Sequence, residues 1–574
     1  MVVGGGSSRP SATLPRQPQV GLCGQEAVAF ALMADNTVDG GSDVRFDVAI
    51  VGAGVAGLVA ALDLLDLEPA LRIAVIDKGE MGSSGSTPLA QGGMAAAVGP
   101  DDSPEMHAED TIRAGDGLCD ERAVAVMAVE GPARVDDLIR RGARFDRTAD
   151  GSLALAREGG QRVARNVRTA DASGAEIFRA LRVAASGRVT RLQGIACAIA
   201  TAATGRERGV VAGVWVVLDA VDGSPLGPAQ TPGLALVRAD AVLLATGGCG
   251  GLFAATTNRD GATADGIGLA AGIGAALVDL EFIQFHPTGL KVSEPGSFWR
   301  LLLTEALRGA GATLVDATGR RFMPERHPDG ELAPRHIVTK GILDQDGGVW
   351  LDATALPKAT LEQDFPTVAA GVRRHGFDLA TEPVPVEPAQ HYMIGGVATD
   401  LWARTSVPGM YAAGEVAATG VHGANRMAGN SLLQSCVFGH RAASAIRAQL
   451  RERAGAAREV GDAPLLDGNH PADGLLRRAS LRVAMSAGAG PIRTAAGLLE
   501  TDRVLDETAA AIGKNPAPTR DSIELHHMVA AGRLFVRSAQ LREESRGVHW
   551  RGDFPHHDPR WSGVRLRVQG PRTA

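Results

Sequence analysis

The 574-residue sequence predicts an α/β fold assembled from separated segments, with a helical region towards the C-terminal end. Three observations predict it. A buried strand, a glycine turn and a helix follow one another in FDVAIVGAGVAGLVAALDLL. Two further apolar strands ending in glycine stand far downstream, in ADAVLLATGGCGG and VPGMYAAGEVA. Beyond Ile446 the chain is rich in Ala, Leu, Arg and Glu at helical spacing, as in SIELHHMVAAGRLFVRSAQLREE. A chain of this length exceeds one ordinary core, so two or three domains are expected, one interrupting another.

The first strand runs from Phe46 to Val51 and its helix opens near Val55. Between them lie Gly52, Ala53, Gly54, Val55, Ala56 and Gly57. Gly52 permits the tight turn, Gly54 lets a pyrophosphate approach the backbone, and Gly57 lets helix pack on strand. The helix start adds N–H donors and the positive end of its dipole. The next strand, LRIAVIDK, ends in Asp77 and Lys78, and Asp77 stands where a carboxylate accepts from a ribose hydroxyl. Strand, turn, helix, strand and acid in this order predict a dinucleotide. The distant glycine-ended strands suit one long extended cofactor, which favours FAD over NAD.

Composition narrows the classes. Hydrophobic residues make up 45% and charged residues 21%, with a net charge of −7, so no broad basic field points to nucleic acid or an anionic membrane. No stretch reaches the roughly 18 to 20 uninterrupted apolar residues of a membrane span. The five cysteines (Cys23, Cys119, Cys197, Cys249 and Cys436) are scattered, which predicts a reducing, cytoplasmic setting and no iron–sulfur or zinc site. The histidine pairs at 526–527 and 556–557 match no ligand spacing and read as packed or solvated side chains, so no metal is expected. Residues 1–44 begin with a Gly/Ser/Pro-rich stretch and read as a disordered extension.

The segments GAGVAGL, GSTPLAQGGMAAA, TADGIGLA, EFIQFHPTGL, LLTEALRGAGA, GELAPRHIV, HYMIGGV, YAAGEV, HGANRMAGNSLLQ and ESRGVHWRGDFP occur in this order between Asp43 and Pro555. Together they resemble the FAD-dependent superfamily of succinate dehydrogenase, fumarate reductase and L-aspartate oxidase. The resemblance implies a Rossmann-like FAD-binding domain (45–279 and 394–450) interrupted by an α+β capping domain (280–393) and followed by a helical C-terminal domain (451–574). It places Ser86, Thr87, Gln91, Gly92, Gly93, Asp265, Glu415, Asn430, Ser431 and Leu432 with the glycine turn and Asp77–Lys78 around FAD. Respiratory members attach FAD to a histidine five residues before the glutamine of A-Q-G-G. Here that position is Ser86, which implies non-covalent FAD.

A four-carbon dicarboxylate needs donors at both ends, fixed by bidentate geometry. In HGANRMAGNSL, Arg426 stands alone among small residues, as a clamp for one carboxylate requires, and the resemblance gives His391 the same carboxylate. EFIQFHPT alternates as a strand, putting Gln284 and His286 on one face opposite Ile283 and Phe285. The resemblance makes His286, Gln284 and Thr304 substrate contacts. Arg335 follows Pro334 at a helix start, where the dipole disfavours a cation, so structure alone does not choose it. The resemblance implies that it orients substrate and handles protons. Arg308, three residues past Glu305, reads as a salt-bridge partner outside the site. Ser431 and Gln434 have the spacing of a capping box.

Glu158, in LAREGGQRVARNVRTADASG, matches the position that lies near the substrate amino group in the amino-acid oxidases. A carboxylate there repels succinate and helps a substrate that carries an ammonium. Gln161 and Val163 replace histidines common just after it. The resemblance thus implies oxidation of L-aspartate to iminoaspartate, with O2 (giving H2O2) or fumarate as acceptor. This is the first step of de novo NAD biosynthesis via quinolinate, functionally coupled to a quinolinate synthase. The alternative is a soluble fumarate reductase or a succinate dehydrogenase flavoprotein subunit.

Overall fold

The computed structural model describes residues 43–79, 85–204, 207–219, 233–293, 296–452, 460–461, 463–468 and 473–569. The expected N-terminal extension, apart from Asp43 and Val44, lies outside them, as does Cys23.

The main sheet is built as its sequence pattern requires. Strand β1 (Asp43–Val51) runs parallel to β2 (Ile73–Asp77) on one side and to β5 (Gly233–Leu244) on the other. Strand β3 (Thr190–Thr204) pairs in parallel with β2, then continues into an antiparallel meander with β4 (Glu207–Leu218) and β5. A last strand, β10 (Met410–Ala412), joins β5 in parallel after a long excursion of the chain. Both faces of β1 are covered over Val48–Val51, which is why that stretch is continuously apolar. Val48 and Ile50 pack into one core and Ala49 and Val51 into another. Helix α1 (Val55–Leu67) is buried at every residue from Val55 to Leu65, apolar all round except for Asp63, whose carboxylate accepts from Arg141.

The excursion contains a four-stranded antiparallel sheet in the order β6 (Ile283–Leu290), β9 (Val384–Met393), β8 (Val349–Asp352), β7 (Thr313–Asp316). Leu290, Leu303, Leu314, Val338 and Leu351 fill a core of their own on it. Gln284 pairs with Tyr392 and Phe285 with Gln390, so His391 is the extra residue of a β-bulge in β9. Helices α2 (Asp265–Gly272), α3 (Glu305–Gly309) and α4 (Arg335–Leu343) carry further site residues, and α4 starts at Arg335 directly after Pro334.

Helix α5 (Asn430–Glu452) packs on α1. The expected capping box at its start does not form. Gln434 instead accepts from the Tyr392 hydroxyl at 3.4 Å, and the Ser431 hydroxyl accepts a charge-assisted bond from Arg426 that competes with capping. The predicted C-terminal helices are α6 (Gly474–Gly488), α7 (Ala495–Ile512) and α8 (Arg520–Leu541). Their apolar faces, with Met485, Leu505, Met528 and Phe535, enter the same core as Ala49 and Val51. Among the described residues no helix is long and apolar enough to cross a membrane, and no His/Cys/Asp/Glu group could hold a metal ion. Cys119, Cys197, Cys249 and Cys436 are all free thiols.

Candidate active site

The turn after β1 opens onto a cleft of about 1380 Å³. Of the expected cofactor residues, Gly52, Ala53, Gly54, Val55, Ala56, Asp77, Lys78, Ser86, Thr87, Asp265, Glu415, Ser431 and Leu432 line it. Gly52 adopts φ +110°, and a Cβ there would lie 2.2 Å from the Ala245 carbonyl oxygen. Helices α1 and α5 both begin at the cleft, presenting N–H groups and positive dipole ends. Thr246 Oγ1 and Asn258 Oδ1 are buried cleft-wall atoms without a hydrogen-bond partner. A glycine cradle, two helix starts, an acid at the end of β2 and unpartnered polar atoms together fit FAD. Burial pushes the Glu415 carboxyl up to about 7, although it accepts from Met393 N–H at 2.8 Å.

Five predicted cofactor residues stand back from the wall. Gly57 serves packing, since a Cβ there would lie 2.1 Å from Gly52 O. Gly92 faces Glu158, where a Cβ would come 2.4 Å from Oε1. Gln91 and Gly93 lie beside it in sequence, and neither lines the cleft. Asn430 turns its amide away, to His107 Nε2 at 2.8 Å and Thr111 Oγ1 at 3.0 Å.

A second cavity, of about 1280 Å³, is lined by Glu158, Glu305, Arg335 and Arg426. One oxygen ties two of these groups together. Gln284 Oε1 accepts from Arg335 Nη1 at 3.2 Å and from Arg426 Nε at 3.1 Å, so a single carbonyl bridges two buried guanidinium groups. The Gln284 amide in turn donates to Arg426 O at 2.9 Å and Asn425 Oδ1 at 3.1 Å, which fixes its orientation. Arg335 Nε also donates to Glu305 Oε2 at 2.7 Å, and Glu305 Oε1 accepts from Gly159 N–H at 2.9 Å. That ion pair accounts for a cation at the first position of α4. Arg426 stacks over Tyr392, 4.9 Å from the ring centroid. Burial, then the charge of Arg335, pushes the Arg426 pKa down to about 9, still cationic at neutral pH.

Two carboxyl groups share this cavity and are driven apart. Burial raises Glu305, but Arg335 and Arg308 outweigh it and hold Glu305 below its usual range as a carboxylate. Glu158 has no such partner. Burial first and the Glu305 charge second raise it to about 7, against the pull of Arg335 and Arg426. Neither adjacent arginine pairs with it: Arg157 donates to Gln161 O at 2.8 Å, and Arg162 goes to Asp110 at 2.7 Å. Glu158 Oε1 is buried without a partner. Gln161, where a histidine was expected, is a loop brace, accepting from Glu158 N–H at 2.9 Å and donating to Asn166 Oδ1 at 2.8 Å.

His286 and His391 stand 5.2 Å apart, centroid to centroid. Burial and then the arginine charges push both well below the usual histidine range, so both are neutral. Thr288 N–H donates to His286 Nδ1 at 3.3 Å, which leaves the proton on Nε2, a buried atom without a partner. His391 Nδ1 is held by Thr257 Oγ1 at 2.8 Å, and His391 lines the cofactor cleft. Thr304 caps α3, accepting from Ala306 N–H at 3.4 Å, which leaves its own proton free to donate. The structure therefore joins Gln284, Arg335, Arg426 and Glu158 in one cluster, with the histidine pair beside it. Sequence reasoning missed Glu305, Tyr392, Thr257 and Asn258. Glu305 and Tyr392 each adjoin a residue that was singled out, while Thr257 and Asn258 carry no local signal.

Residues 47–432 match a family model described as FAD binding domain, and residues 478–572 one described as fumarate reductase flavoprotein C-term. Two solved structures share the fold. A mutant chain of E. coli quinol fumarate reductase is 29% identical with a TM-score of 0.79, covering 90% of this chain and 93% of its own. Mycobacterium smegmatis Sdh1 is 31% identical with a TM-score of 0.77, covering 92% of each. Fold, cleft and matches define an FAD-dependent flavoprotein of the succinate dehydrogenase and fumarate reductase superfamily. Among curated relatives, the L-aspartate oxidase of Streptomyces coelicolor is 44% identical over 534 residues, 90% of each chain. That of Caulobacter vibrioides is 43% identical over 527 residues, 90% of this chain and 95% of its own. The chain belongs to the L-aspartate oxidase family.

The shared acceptor can be removed. Gln284→Leu leaves both arginines short of a hydrogen bond worth about 1.5–3 kcal/mol to a charged group, so kcat/KM is expected to fall roughly 10- to 160-fold in steady-state assays. At the cleft, Ser86 offers no imidazole for a flavin bond. Acid precipitation is expected to leave the yellow flavin in the supernatant, and colour in the pellet would contradict non-covalent binding.

Proposed function

We propose that the protein oxidises L-aspartate to iminoaspartate with O2 or fumarate as electron acceptor, the first step of NAD biosynthesis through quinolinate. One observation carries the choice of substrate: Glu158 is a buried carboxyl without an ion-pair contact, opening into the cavity that Arg335 and Arg426 line. Two guanidinium groups supply what two carboxylates need, and Glu158 supplies what an ammonium needs. Arg426 and His391 take one carboxylate, and Arg335, Thr304 and the Nε2 proton of His286 orient the other end. FAD, when bound, supplies the acceptor for the hydride that leaves Cα. The ammonium must also lose a proton, and a carboxyl poised near neutrality is suited to hold the ammonium and accept that proton. Arg335 and Glu305 keep the second carboxylate oriented while Cα changes from tetrahedral to planar. Functional coupling to a quinolinate synthase and a cytoplasmic location belong to the same reading, with the unpaired thiols as support.

The likeness to the E. coli and M. smegmatis structures favours a second reading, a fumarate reductase or succinate dehydrogenase flavoprotein. Anaerobic mixing of the yellow protein with L-aspartate, and separately with succinate, distinguishes them. Flavin bleaching by aspartate alone is expected; bleaching by succinate alone would move the protein to the other branch.

Glu158 also sets a pH dependence. Its carboxyl titrates at about 7 in the fold against an ordinary value of 4.5. Between those values the folded state binds the extra proton, so the stability contributed by this group declines as pH rises through that window. Aspartate binding runs the other way, because the ammonium needs the carboxylate. KM for aspartate is expected to fall as pH rises through 7, whereas inhibition by a dicarboxylate without an amino group weakens. Glu158→Gln flattens both profiles and weakens aspartate binding roughly 30-fold or more.

A further inference from the structure

One buried ionic cluster lies outside the substrate cavity yet against the cofactor cleft. The Lys78 ammonium, at the end of β2, stands 2.6 Å from Asp265 Oδ2, 2.7 Å from Thr263 Oγ1 and 2.8 Å from Glu524 Oε1. An ammonium has three N–H donors, and here each has an acceptor. Lys78 and Asp265 line the cleft, but Lys78 has no N–H left to offer a ligand there. Glu524 lies on α8 and does not line the cleft. Its other oxygen accepts from Arg478 Nη1 of α6 at 2.9 Å. Three residues on along α8, His527 Nδ1 meets Asp265 Oδ1 at 3.2 Å. His527 packs so closely on α2 that a Cβ at Gly268 would come 2.7 Å from its ring. The side chains of Lys78, Asp265 and Glu524 are 13%, 10% and 6% exposed, so this is an interior tie rather than a screened surface pair.

We propose that Glu524 is a positioning residue for the cofactor: through Lys78, and with His527 through Asp265, it ties the wall of the FAD cleft to the C-terminal helices. Lys78 acts as a strut instead of a flavin ligand. Without Glu524 the ammonium regains a free donor and swings toward the cleft, and α8 loses its hold on the end of β2. FAD binding and the docking of α8 are then linked, each favouring the other by the same factor.

The test uses full-length apoprotein titrated with FAD, with flavin fluorescence quenching as the readout. Glu524→Gln is expected to raise the FAD Kd about 5- to 150-fold, while KM for aspartate at saturating FAD stays unchanged. In a double-mutant cycle with Lys78→Met the two losses are not additive, because Glu524 acts through Lys78. Arg478→Gln, which cuts the other tie of Glu524 together with a 3.4 Å bond to Asp260 O and leaves the Lys78 tie in place, leaves Kd within about twofold. In limited proteolysis FAD protects segment 513–519 of the parent and protects it less in Glu524→Gln. If Glu524→Gln does not fold, His527→Asn still raises Kd through Asp265. An unchanged Kd in either variant, or additive losses in the cycle, overturns the proposal. A parent apoprotein that bound no FAD would instead overturn the cofactor assignment on which the proposal rests.

Discussion

Two arginines share one carbonyl oxygen, and the rest of the site follows from that. Burying a guanidinium is tolerable only where its charge and its donors find partners. Arg335 and Arg426 both donate to Gln284 Oε1, yet that neutral oxygen cancels no charge. Glu305 neutralises Arg335, while Arg426 is left with the Tyr392 ring and the Ser431 hydroxyl. The cluster is short of negative charge on the Arg426 side, and in the function proposed above a substrate carboxylate makes up that deficit. Burial first, and the uncancelled arginine charge second, keep both histidines neutral.

Holding that arrangement requires segments remote in sequence. Gln284 and His286 come from β6, His391 from β9, Arg335 from α4, and Arg426 from the loop before α5. The bulge in β9 matters most. Along a regular strand His391 would pair opposite Phe285, whose ring packs edge-on against Phe253. The extra residue takes His391 out of register and sets it beside His286, and it keeps Tyr392 opposite Gln284 under Arg426.

Much of this was legible in the chain. The strand, glycine turn and helix of 46–67 and the acid at Asp77 follow from a run of apolar residues broken by glycines, and the C-terminal helices from their helical period. Arg426 was conspicuous as a lone cation among Gly, Ala, Asn and Ser. What stayed hidden depends on register or on distant partners. No alternation shows that His391 is the extra residue of a bulge. No spacing shows that Glu305 pairs with Arg335 rather than only with Arg308. The Ser431–Gln434 spacing suggested a cap, but Arg426 takes the serine and Tyr392 takes the glutamine. Histidines 526 and 527 looked inert for want of a metal pattern, and His527 proves to face Asp265 at the cofactor cleft.

In the function proposed above, the burial of Glu158 is what sets selectivity. A buried carboxyl that accepts nothing on Oε1 and lies within the field of Glu305 is unfavourable as an anion, which is why it holds a proton up to about 7. A substrate ammonium removes that penalty by supplying the missing charge and donor together. Succinate supplies neither, and brings its own charges toward Glu158. In that proposal, discrimination between the two comes from one residue that both disfavours the wrong ligand and favours the right one. The arginine pair cannot provide it, because it sees the same two carboxylates in both.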